Sequence, residues 1–440
     1  MLLLYVGPCF GFVADILRLP LRIYHQVHAS AGYMVGILAS FHAVGTVVTK
    51  GGFAVNNIRN LLAVLAMGGI CLLLMPISFI SRILPYEFLL FIHRTTSLLL
   101  GYAIWRHLPN KELFPRLYLY IIGGVFFITL TVQMGIALYR SRCRFHLADL
   151  SWSSKPIIQV LVRLQSRLKV EPGQYINLWI PSSLLSTLQI HPFTVASWSP
   201  DAAETLVVFA EIRKGFTSSL RNMVRFGDSQ SFAMFTGPHG SRLPVDKYDH
   251  VLLIATDLGI VALLPYLQWL THAHHAHQLE EGTNRFKSSR GIHLIWHLRD
   301  WEVFVAVSYF LNVALAEDEL RASNACKICG TEHRSIIKLT VYGEKATIGQ
   351  DEGHGAANAR KLANSVRGDI HWEPIDLPSI LDEELSSILD DETVTGVTRD
   401  VSRKPCAVAA SVSRKFRDQL TDAARAKLPH IDLMFTEYQP

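Results

Sequence analysis

Four histidines form two pairs of equal spacing in the apolar first third of the chain. His28 is followed by His42 and His93 by His107, so the members of each pair are fourteen residues apart. In an α-helix, fourteen residues make about four turns and span about 21 Å, and both histidines of a pair therefore project from nearly the same face. Two such helices side by side would present two imidazole clamps, one near each side of a membrane. Imidazole is a common axial ligand of haem, so the spacing predicts two haems and electron transfer across a membrane.

The alternative is that these histidines are ordinary buried residues. A lone histidine on an apolar helix is more often a hydrogen-bonded core residue than a ligand. Ionisable groups in membrane spans are costly and usually functional, and the repeat of one spacing on two segments favours the haem interpretation. Spans two apart run in the same direction, which pairs His28 with His93 and His42 with His107. Arg94 could pair with a haem propionate or extend to the membrane surface.

Apolar spans must position these histidines. Half of the 440 residues are hydrophobic and only 18% are charged. A spanning helix needs about 20 residues, and four runs approach or meet this length, with a shorter fifth run at the start of the chain. The predicted spans are 31–48, 61–80, 88–107 and 117–138, and the shorter run is 1–17.

The start of the chain is not expected to be a signal peptide, because it lacks a basic region before its apolar run. A chain that begins inside an apolar run is instead expected to lack upstream sequence. Arginines follow the last span and precede the first histidine helix, which favours a cytoplasmic position for the part of the chain after the last span. Basic residues in the opposite loops weaken this charge asymmetry. The net charge of +5 comes without a basic cluster interleaved with aromatic residues, so no nucleic acid partner is expected.

Two further groups are weak metal candidates. Cys326 and Cys329 form a C-x-x-C motif without a second ligand pair at zinc-site spacing. The histidines at 272, 274, 275 and 277 are better explained as a solvated helix or loop end. Six scattered cysteines are too few for a disulfide framework.

The chain changes character near residue 146. Segments rich in branched residues at 156–164, 173–181 and 204–213 predict consecutive strands of a small antiparallel barrel. After about residue 246, strand-like and helical segments alternate, which predicts an α/β domain with a parallel sheet. The predicted domains are therefore 1–145 in the membrane, a β-barrel at 146–245 and an α/β domain at 246–440. Residues 346–370 and 382–404 are predicted loops.

The segment HPFTVAS, residues 191–197, resembles the flavin-binding signature H-P-F-[ST]-x-x-S of the ferric reductase and NADPH oxidase superfamily. PGQYINLWIP upstream resembles the strand that precedes this signature, and the paired histidines resemble the family's bis-haem arrangement. The likeness extends, with gaps, to the terminal FTEYQP and is to fungal ferric-chelate reductases in particular. It implies a transmembrane bis-haem bundle, an FAD-binding barrel and an NADP-binding α/β domain, with FAD, two haem b and NADPH as cofactors.

The predicted flavin site has a chemical basis of its own. Pro192 stiffens the strand, Phe193 can lie against rings, and the hydroxyls of Thr194 and Ser197 can donate hydrogen bonds. With His191, these residues are expected to contact FAD. A second segment, EIRKGFTSSL, places cations and hydroxyls just before a predicted helix, where a pyrophosphate is favoured. Its candidate ligands are Arg213 and Thr217, and the alternative is a simple turn between strand and helix.

The nicotinamide side departs from the family pattern. Gly237 and Gly240 belong to GPHG, which resembles the family's G-P-[YH]-G turn, and Gly259 belongs to DLGI, where relatives carry G-x-G-I. Asp257 replaces the first glycine, and its carboxylate is expected to repel a phosphate or to compete for helix N–H groups. The family's Cys-Gly pair beside the nicotinamide ring is read here as Cys406 followed by Ala407.

The resulting hypothesis is a ferric-chelate reductase of the plasma membrane, with its flavin and nucleotide domains in the cytoplasm. Electrons from NADPH are expected to pass by FAD to the inner pair, His28 and His93, and then to the outer pair, His42 and His107, on their way to a ferric chelate. Two alternatives stay open: a superoxide-producing NADPH oxidase, and a catalytically degenerate membrane haem protein, which Asp257 and Ala407 would favour.

Overall fold

The structure is a computed structural model. It describes residues 2–5, 10–50, 57–75, 84–109, 113–142, 144–183, 189–279, 291–329, 335–343, 368–395, 406–425, 427–428 and 430–438.

The first third of the described chain is helical. Its helices are α1 (Leu2–Tyr5), α2 (Phe10–Ile16), α3 (Leu21–Lys50), α4 (Ile58–Leu73), α5 (Tyr86–His107) and α6 (Leu113–Arg140). Three of them, α3, α5 and α6, are long and apolar enough to cross a membrane. Large apolar side chains such as Phe41, Leu98 and Phe127 are exposed on these helices, as expected where a helix faces lipid.

Two of the five predicted apolar runs need correction. Helix α4 ends at Leu73, within the predicted span 61–80, and its 16 residues make about 24 Å, short of a hydrocarbon core of about 30 Å. The N–H of Leu74 bonds back to Ile70 and closes the last turn, and Pro76 in the sequence disfavours a helical conformation just before it. Residues 76–83 lie outside the described part.

The run 1–17 is not a single described span either. It contains the short helices α1 and α2, with residues 6–9 outside the described part. Helix α2 ends where Arg18 adopts a left-handed φ of 53° and the Leu19 N–H bonds back to Ala14. Its buried Ala14 packs with Leu21, Tyr24 and Tyr175, the last of these in the barrel, so α2 lies against the barrel.

The next part is an antiparallel sheet that curls into a barrel, as predicted. Its strands are β1 (His146–Ser154), β2 (Ile157–Leu168), β3 (Tyr175–Trp179), β4 (His191–Thr194), β5 (Ala203–Glu211) and β6 (Ser229–His239), and α7 (Phe216–Met223) follows β5. Their order is β4-β3-β6-β1-β2-β5. The two edges meet where the Ala196 N–H donates to the Val207 carbonyl at 2.8 Å. Alternating residues such as Ile158, Val160 and Val162 fill the interior.

The last part is an α/β layer with a parallel sheet, also as predicted. Its elements are β7 (His250–Thr256), α8 (Ile260–Leu279), β8 (Gly291–Leu298), α9 (Trp301–Cys329), β9 (Ile337–Gly343), β10 (Gly368–His371), α10 (Leu377–Thr395), β11 (Cys406–Ser411), α11 (Arg414–Arg425) and β12 (Ile431–Phe435). The strand order is β10-β9-β8-β7-β11-β12, with every pair parallel. The order reverses between β7 and β11, and in such sheets ligands bind outside the carboxyl ends of the strands at the reversal.

One predicted loop in this part is wrong. Residues 382–395 of the predicted loop 382–404 lie in α10. Leu377, Ile380, Leu381 and Leu385 form an apolar stripe that packs with residues of the sheet and of α11. The acidic run 382–384, between Leu381 and Leu385, hides this stripe in the sequence. Strand β10 lies at the end of the other predicted loop, 346–370. Residues 344–367 and 396–405 lie outside the described part.

Candidate functional site

The structure brings the four paired histidines together in the combinations that the sequence predicts. Helix α3 carries His28 and His42, and α5 carries His93 and His107. The ring centres of His28 and His93 are 6.2 Å apart, and those of His42 and His107 are 6.5 Å apart. A metal bound about 2 Å from one nitrogen of each imidazole would separate the ring centres by roughly 6 Å. The two gaps therefore fit axial coordination of one iron each.

The weak metal candidates gain no support. The described residues contain no cluster of three or more metal-ligating side chains. His272 lies edge-on to Trp198 on α8, and His274 is buried. Cys326 and Cys329 lie near the end of α9, where side chains fall outside the description.

The His28–His93 pair is the one nearer the barrel. Both helices begin on the barrel side. Leu21 and Tyr24 of α3 pack with Tyr175 of β3, and Glu87, in the first turn of α5, makes two hydrogen bonds to the barrel part. The side-chain amide of Gln189, just before β4, donates to the Glu87 carbonyl at 2.7 Å. The Phe216 N–H, at the start of α7, donates to Glu87 Oε1 at 2.6 Å. The predicted inner haem position therefore faces the predicted flavin strand.

His191, the first residue of the HPFT strand, lies at this junction. Its ring stacks on Phe216 with ring centres 4.1 Å apart and planes 11° apart. Burial, with a smaller contribution from the charge of Arg94, lowers the pKa of His191 to about 4. The imidazole is therefore neutral near pH 7. Its buried Nε2 has no hydrogen-bond partner among the described residues, and a flavin group placed here could supply one.

The hydroxyl of Thr194 contacts the end of the chain. It lies 3.0 Å from the Glu437 carbonyl and 2.6 Å from the Tyr438 carbonyl, and donates to these two acceptors. Tyr438 in turn donates through its own hydroxyl to the Phe209 carbonyl at 2.7 Å. Thr194 thus fastens the C-terminal segment to the flavin strand, a contact between residues more than 240 positions apart that the sequence pattern did not indicate.

The other residues of the signature support the strand. Phe193 is buried in the barrel core, and Pro192 beside it is half-buried. Ser197 Oγ accepts a hydrogen bond from the Val207 N–H at 3.1 Å and so helps to close the barrel. Of the described residues of this signature, His191 is the one with a buried polar side-chain atom that has no hydrogen-bond partner.

The predicted pyrophosphate turn has a defined geometry. Thr217 Oγ1 accepts a hydrogen bond from the Arg213 N–H at 2.7 Å, and the Arg213 guanidinium pairs with Glu211. Gly215 has a φ of 80°, in the left-handed region that favours glycine, and precedes α7. No local pattern indicated that Glu87 would reach this turn, because the two are far apart in the chain.

The GPHG turn lies against α2. Gly237 and Gly240 flank the end of β6, and the Gly240 N–H donates to Asp15 Oδ1 at 2.8 Å. His239 Nδ1 lies 2.6 Å from Asp15 Oδ2. Asp15 thus docks α2 on the turn, a contact that the sequence did not predict.

A cavity of about 640 Å³ opens at the carboxyl edge of the parallel sheet, at the β7–β11 reversal. Its lining combines hydroxyl, cationic and aromatic side chains that follow the strand ends. These residues are Thr256, Asp257, His297, Arg299, Gly343, Trp372, Glu373, Pro374, Ile375, Ser413, Lys415, Phe416 and Gln419. Of these residues, the sequence singled out only Asp257. Arg299 could also have been found, because it directly follows a predicted strand, whereas those at 372–375 and 413–419 follow strands that were not predicted.

Asp257 is turned toward Arg299. Its φ of 46° is left-handed, and its carboxylate accepts hydrogen bonds from the Arg299 N–H at 3.0 Å and Nε at 2.7 Å, with a further contact to Nη2. Asp257 is the first residue of a short 3-10 turn, Asp257–Gly259, that leads into α8. The negative charge of Asp257 is therefore paired with a cation that also lines the cavity. This arrangement differs from the two expected ones, in which Asp257 repels a phosphate or accepts hydrogen bonds from helix N–H groups.

Gly259 and Cys406 occupy different ends of the sheet. A Cβ on Gly259 would lie 2.0 Å from the Ser411 carbonyl oxygen, so the glycine permits close contact between the start of α8 and the end of β11. Cys406 begins β11, at the amino edge opposite the cavity, in register with His250. Burial raises the pKa of its thiol to about 12. The structure does not bring Cys406 to the cavity; Ser411 is the β11 residue at that edge.

The barrel part of the chain matches a known family of domains. A family described as FAD-binding domain matches residues 142–243. The chain is 26% identical over 329 residues to "Ferric reductase transmembrane component 4" of Saccharomyces cerevisiae, an alignment that covers 70% of this chain and 40% of the relative. It is 27% identical over 290 residues to "Ferric reductase transmembrane component 3" of the same yeast, covering 64% and 37%. The chain thus spans about two fifths of the length of these relatives.

Among solved structures, the chain is similar to a ferredoxin NADP+ reductase from Neisseria gonorrhoeae with bound FAD and NADP. The two are 11% identical, and the match covers 66% of this chain and 98% of that one with a TM-score of 0.39.

Proposed function

We propose that the chain is a member of the ferric reductase family, a membrane reductase that moves electrons from NADPH, by FAD and two haems, to a ferric chelate on the opposite side. Its similarity to the yeast ferric reductase components and its match to an FAD-binding domain support this proposal. The observation that carries this proposal is the ring-centre distance of 6.2 Å in one histidine pair and 6.5 Å in the other, on two helices whose near ends contact the barrel part of the chain. A path of one-electron carriers must begin beside the flavin and end at the far face, and this placement provides both ends.

The membrane residues in this proposal are four axial ligands. His28 and His93 would hold the inner haem b, and His42 and His107 the outer one. Haem iron supplies reversible one-electron transfer, with a potential set by its ligands and their surroundings. The protein fixes each imidazole on a helix of more than twenty residues, so the two sites stay about 21 Å apart along the helix axis.

The barrel residues in this proposal hold FAD. FAD supplies the conversion of a two-electron hydride into single electrons. Neutral His191 has an unused ring nitrogen at the junction, Pro192 offers an apolar surface, and the N-terminus of α7 offers N–H donors for a diphosphate. Thr194 and Ser197 act by holding the strand, while Arg213 and Thr217 shape the turn before α7.

The α/β cavity is proposed to bind NADPH. Arg299 follows β8, the strand next to the reversal, where an arginine in this type of sheet accommodates the 2′-phosphate that distinguishes NADPH from NADH. Lys415 is a second cation at the same edge, and Gly259 allows the tight packing behind it. We assign no contact with the nicotinamide to Cys406, and Gly237 and Gly240 remain candidates through the turn that they form.

We further propose that the division into domains at 145/146 and 245/246, the plasma membrane location and the cytoplasmic position of the flavin and nucleotide domains follow the family. The Asp257–Arg299 pair lowers the positive charge available to a phosphate. This ion pair should therefore weaken NADPH binding without abolishing it. Weak NADPH binding is also the feature that would favour the alternative of a catalytically degenerate membrane haem protein.

The experiment measures NADPH oxidation by membranes that contain the full chain, anaerobically, with a ferric chelate. The expected result is oxidation of one NADPH for every two ferric ions reduced, and loss of this activity in the His42→Ala variant. Oxidation that proceeds only with oxygen and yields superoxide would replace the ferric chelate by oxygen as acceptor. No NADPH oxidation with either acceptor would contradict the reductase proposal.

A further inference from the structure

The N-terminus of α7 is filled by a carboxylate from a membrane helix. Glu87, at the start of α5, is only 6% exposed, and its Oε1 accepts the Phe216 N–H at 2.6 Å. Its Oε2 is also buried and has no hydrogen-bond partner among the described residues. The carboxylate is thus only half satisfied where it lies.

The backbone before α7 is shaped around this anion. Gly215 has a φ of 80°, and a Cβ built on it would lie 1.7 Å from Glu87 Oε2. A side chain at position 215 would therefore fill the space that the carboxylate occupies. The left-handed glycine, the N–H of Phe216 that now donates to Glu87 and the positive end of the helix dipole together make an anion cradle.

Glu87 fits this cradle incompletely. A buried acceptor left without a hydrogen bond loses its hydration without replacement, which is unfavourable. A diphosphate carries more oxygens than a carboxylate and could use donors that Glu87 leaves unused. The cradle is therefore better suited to a phosphate anion than to the residue that fills it.

We propose that Glu87 is a tethered competitor for the phosphate-binding end of the flavin site, and that FAD binds when its diphosphate displaces the Glu87 carboxylate from the Phe216 N–H. This inference rests on the proposed function, since it requires that the barrel binds FAD. It makes flavin loading dependent on helix α5, which carries the inner histidine His93 six residues further along. Glu87 is then a residue that sets flavin affinity and links it to the membrane helix.

If Glu87 competes with the diphosphate, its replacement should affect the binding of FAD but not that of riboflavin. FAD carries a diphosphate and must compete with Glu87, whereas riboflavin has no phosphate and does not reach the cradle. Glu87→Gln keeps the size of the side chain but replaces a charge-assisted hydrogen bond by a neutral one, about half as strong. FAD should therefore bind about five- to tenfold more tightly to the variant, while riboflavin binding is unchanged.

The experiment uses the purified full chain in detergent, freed of flavin, and follows flavin fluorescence quenching during titration with FAD or riboflavin. The variants are Glu87→Gln and Glu87→Asp, whose shorter side chain cannot reach the Phe216 N–H. The matched control is Glu204→Gln, an exposed carboxylate in the same barrel that pairs with Arg167. Haem absorbance verifies that each variant is folded.

The expected result is tighter FAD binding in either folded Glu87 variant, with riboflavin affinity and the Glu204→Gln control unchanged. FAD affinity that is unchanged or lower in a folded Glu87 variant would overturn the proposal and leave Glu87 as a docking contact. Equal gains for FAD and riboflavin would overturn it as well, because the effect would not depend on phosphate. Failure of the unmodified chain to bind any flavin would instead contradict the proposed function.

Discussion

Replacement of Asp257 by glycine should tighten NADPH binding with little effect on stability. Asp257 and Arg299 form an ion pair at the rim of the cavity, with side chains 20% and 66% exposed. The pair has no net charge, so Arg299 is only partly available to a phosphate. Asp257→Gly leaves the arginine as a net positive charge at the carboxyl end of β8.

The size of the effect follows from Coulomb's law. A unit charge about 6 Å from a phosphate contributes about 0.7–2.8 kcal/mol at an effective dielectric constant of about 80 to 20, a roughly 3- to 100-fold change in affinity. Because the Arg299 side chain is mostly exposed, solvent screening favours the lower end, about three- to tenfold.

The effect on stability should be small because two terms oppose each other. Loss of a largely exposed ion pair costs about 0.2–1 kcal/mol. Glycine at a φ of 46° removes left-handed strain that costs a residue with a Cβ about 1–2 kcal/mol. The net change in the free energy of unfolding is expected to lie within about 1 kcal/mol, so altered binding would not reflect unfolding.

The assay is titration of the purified chain with NADP+, together with the Michaelis constant for NADPH. Asp257→Asn should shift affinity in the same direction as Asp257→Gly, and Arg299→Gln in the opposite direction. Asp246→Asn, which removes a carboxylate paired with Arg242 away from the cavity lining, is the control and should leave affinity unchanged. Unchanged or weaker binding in both Asp257 variants would refute the reasoning, and the dinucleotide phosphates would then bind elsewhere.

Three other predictions use separate measurements. Haem content, measured as pyridine haemochrome, should fall from two to one per chain in His42→Ala and stay at two in His25→Ala, a histidine outside both pairs on the same helix; unchanged haem in His42→Ala would remove this ligand assignment. Glu384 is half-buried, which alone would raise its pKa, but its hydrogen bond to His293 and nearby positive charges lower the pKa below 4.5. The stabilising contribution of Glu384 should therefore be present above pH 4.5 and lost as the pH falls through the lowered value. Glu384→Gln should therefore lower the free energy of unfolding by about 1–3 kcal/mol near pH 7, with the difference narrowing below pH 4.5, and a constant difference would count against it. Gly259→Ala should prevent stable folding of the α/β part, because its Cβ would meet backbone at 2.0 Å, whereas Gly123→Ala, with open space around it, should leave the melting temperature unchanged or raise it.

Periodicity and spacing predicted the parts of this fold that depend on local pattern. The fourteen-residue spacing placed both histidine pairs correctly because helix geometry is fixed over four turns. Alternation in β2 and the apolar run in β7 predicted a barrel strand and a buried parallel strand, respectively. The strand–helix junction at Asp257, which the sequence singled out as a candidate nucleotide site, lies in the lining of the cavity at the reversal of the sheet.

Contacts between distant residues were beyond this kind of prediction. The hydrogen bond from Phe216 to Glu87 joins residues 129 positions apart, and no local pattern records it. The pairing of Asp257 with Arg299 reversed the expected electrostatics, because the partner lies on the next strand. The family resemblance implied that Cys406 lies beside the nicotinamide, but Cys406 lies at the amino edge of the sheet, in register with His250. β11 is buried along its whole length, so nothing in its sequence indicates which end faces the cavity.

The most direct test of the central claim is the absorption spectrum of the purified full chain, recorded anaerobically before and after addition of NADPH. The account predicts two low-spin bis-imidazole haems and one FAD per chain, with both haems reduced by NADPH and with reduction of the outer haem lost in His107→Ala. A chain that folds and binds FAD but shows no haem absorbance, or whose haems stay oxidised when the flavin is reduced, would contradict it.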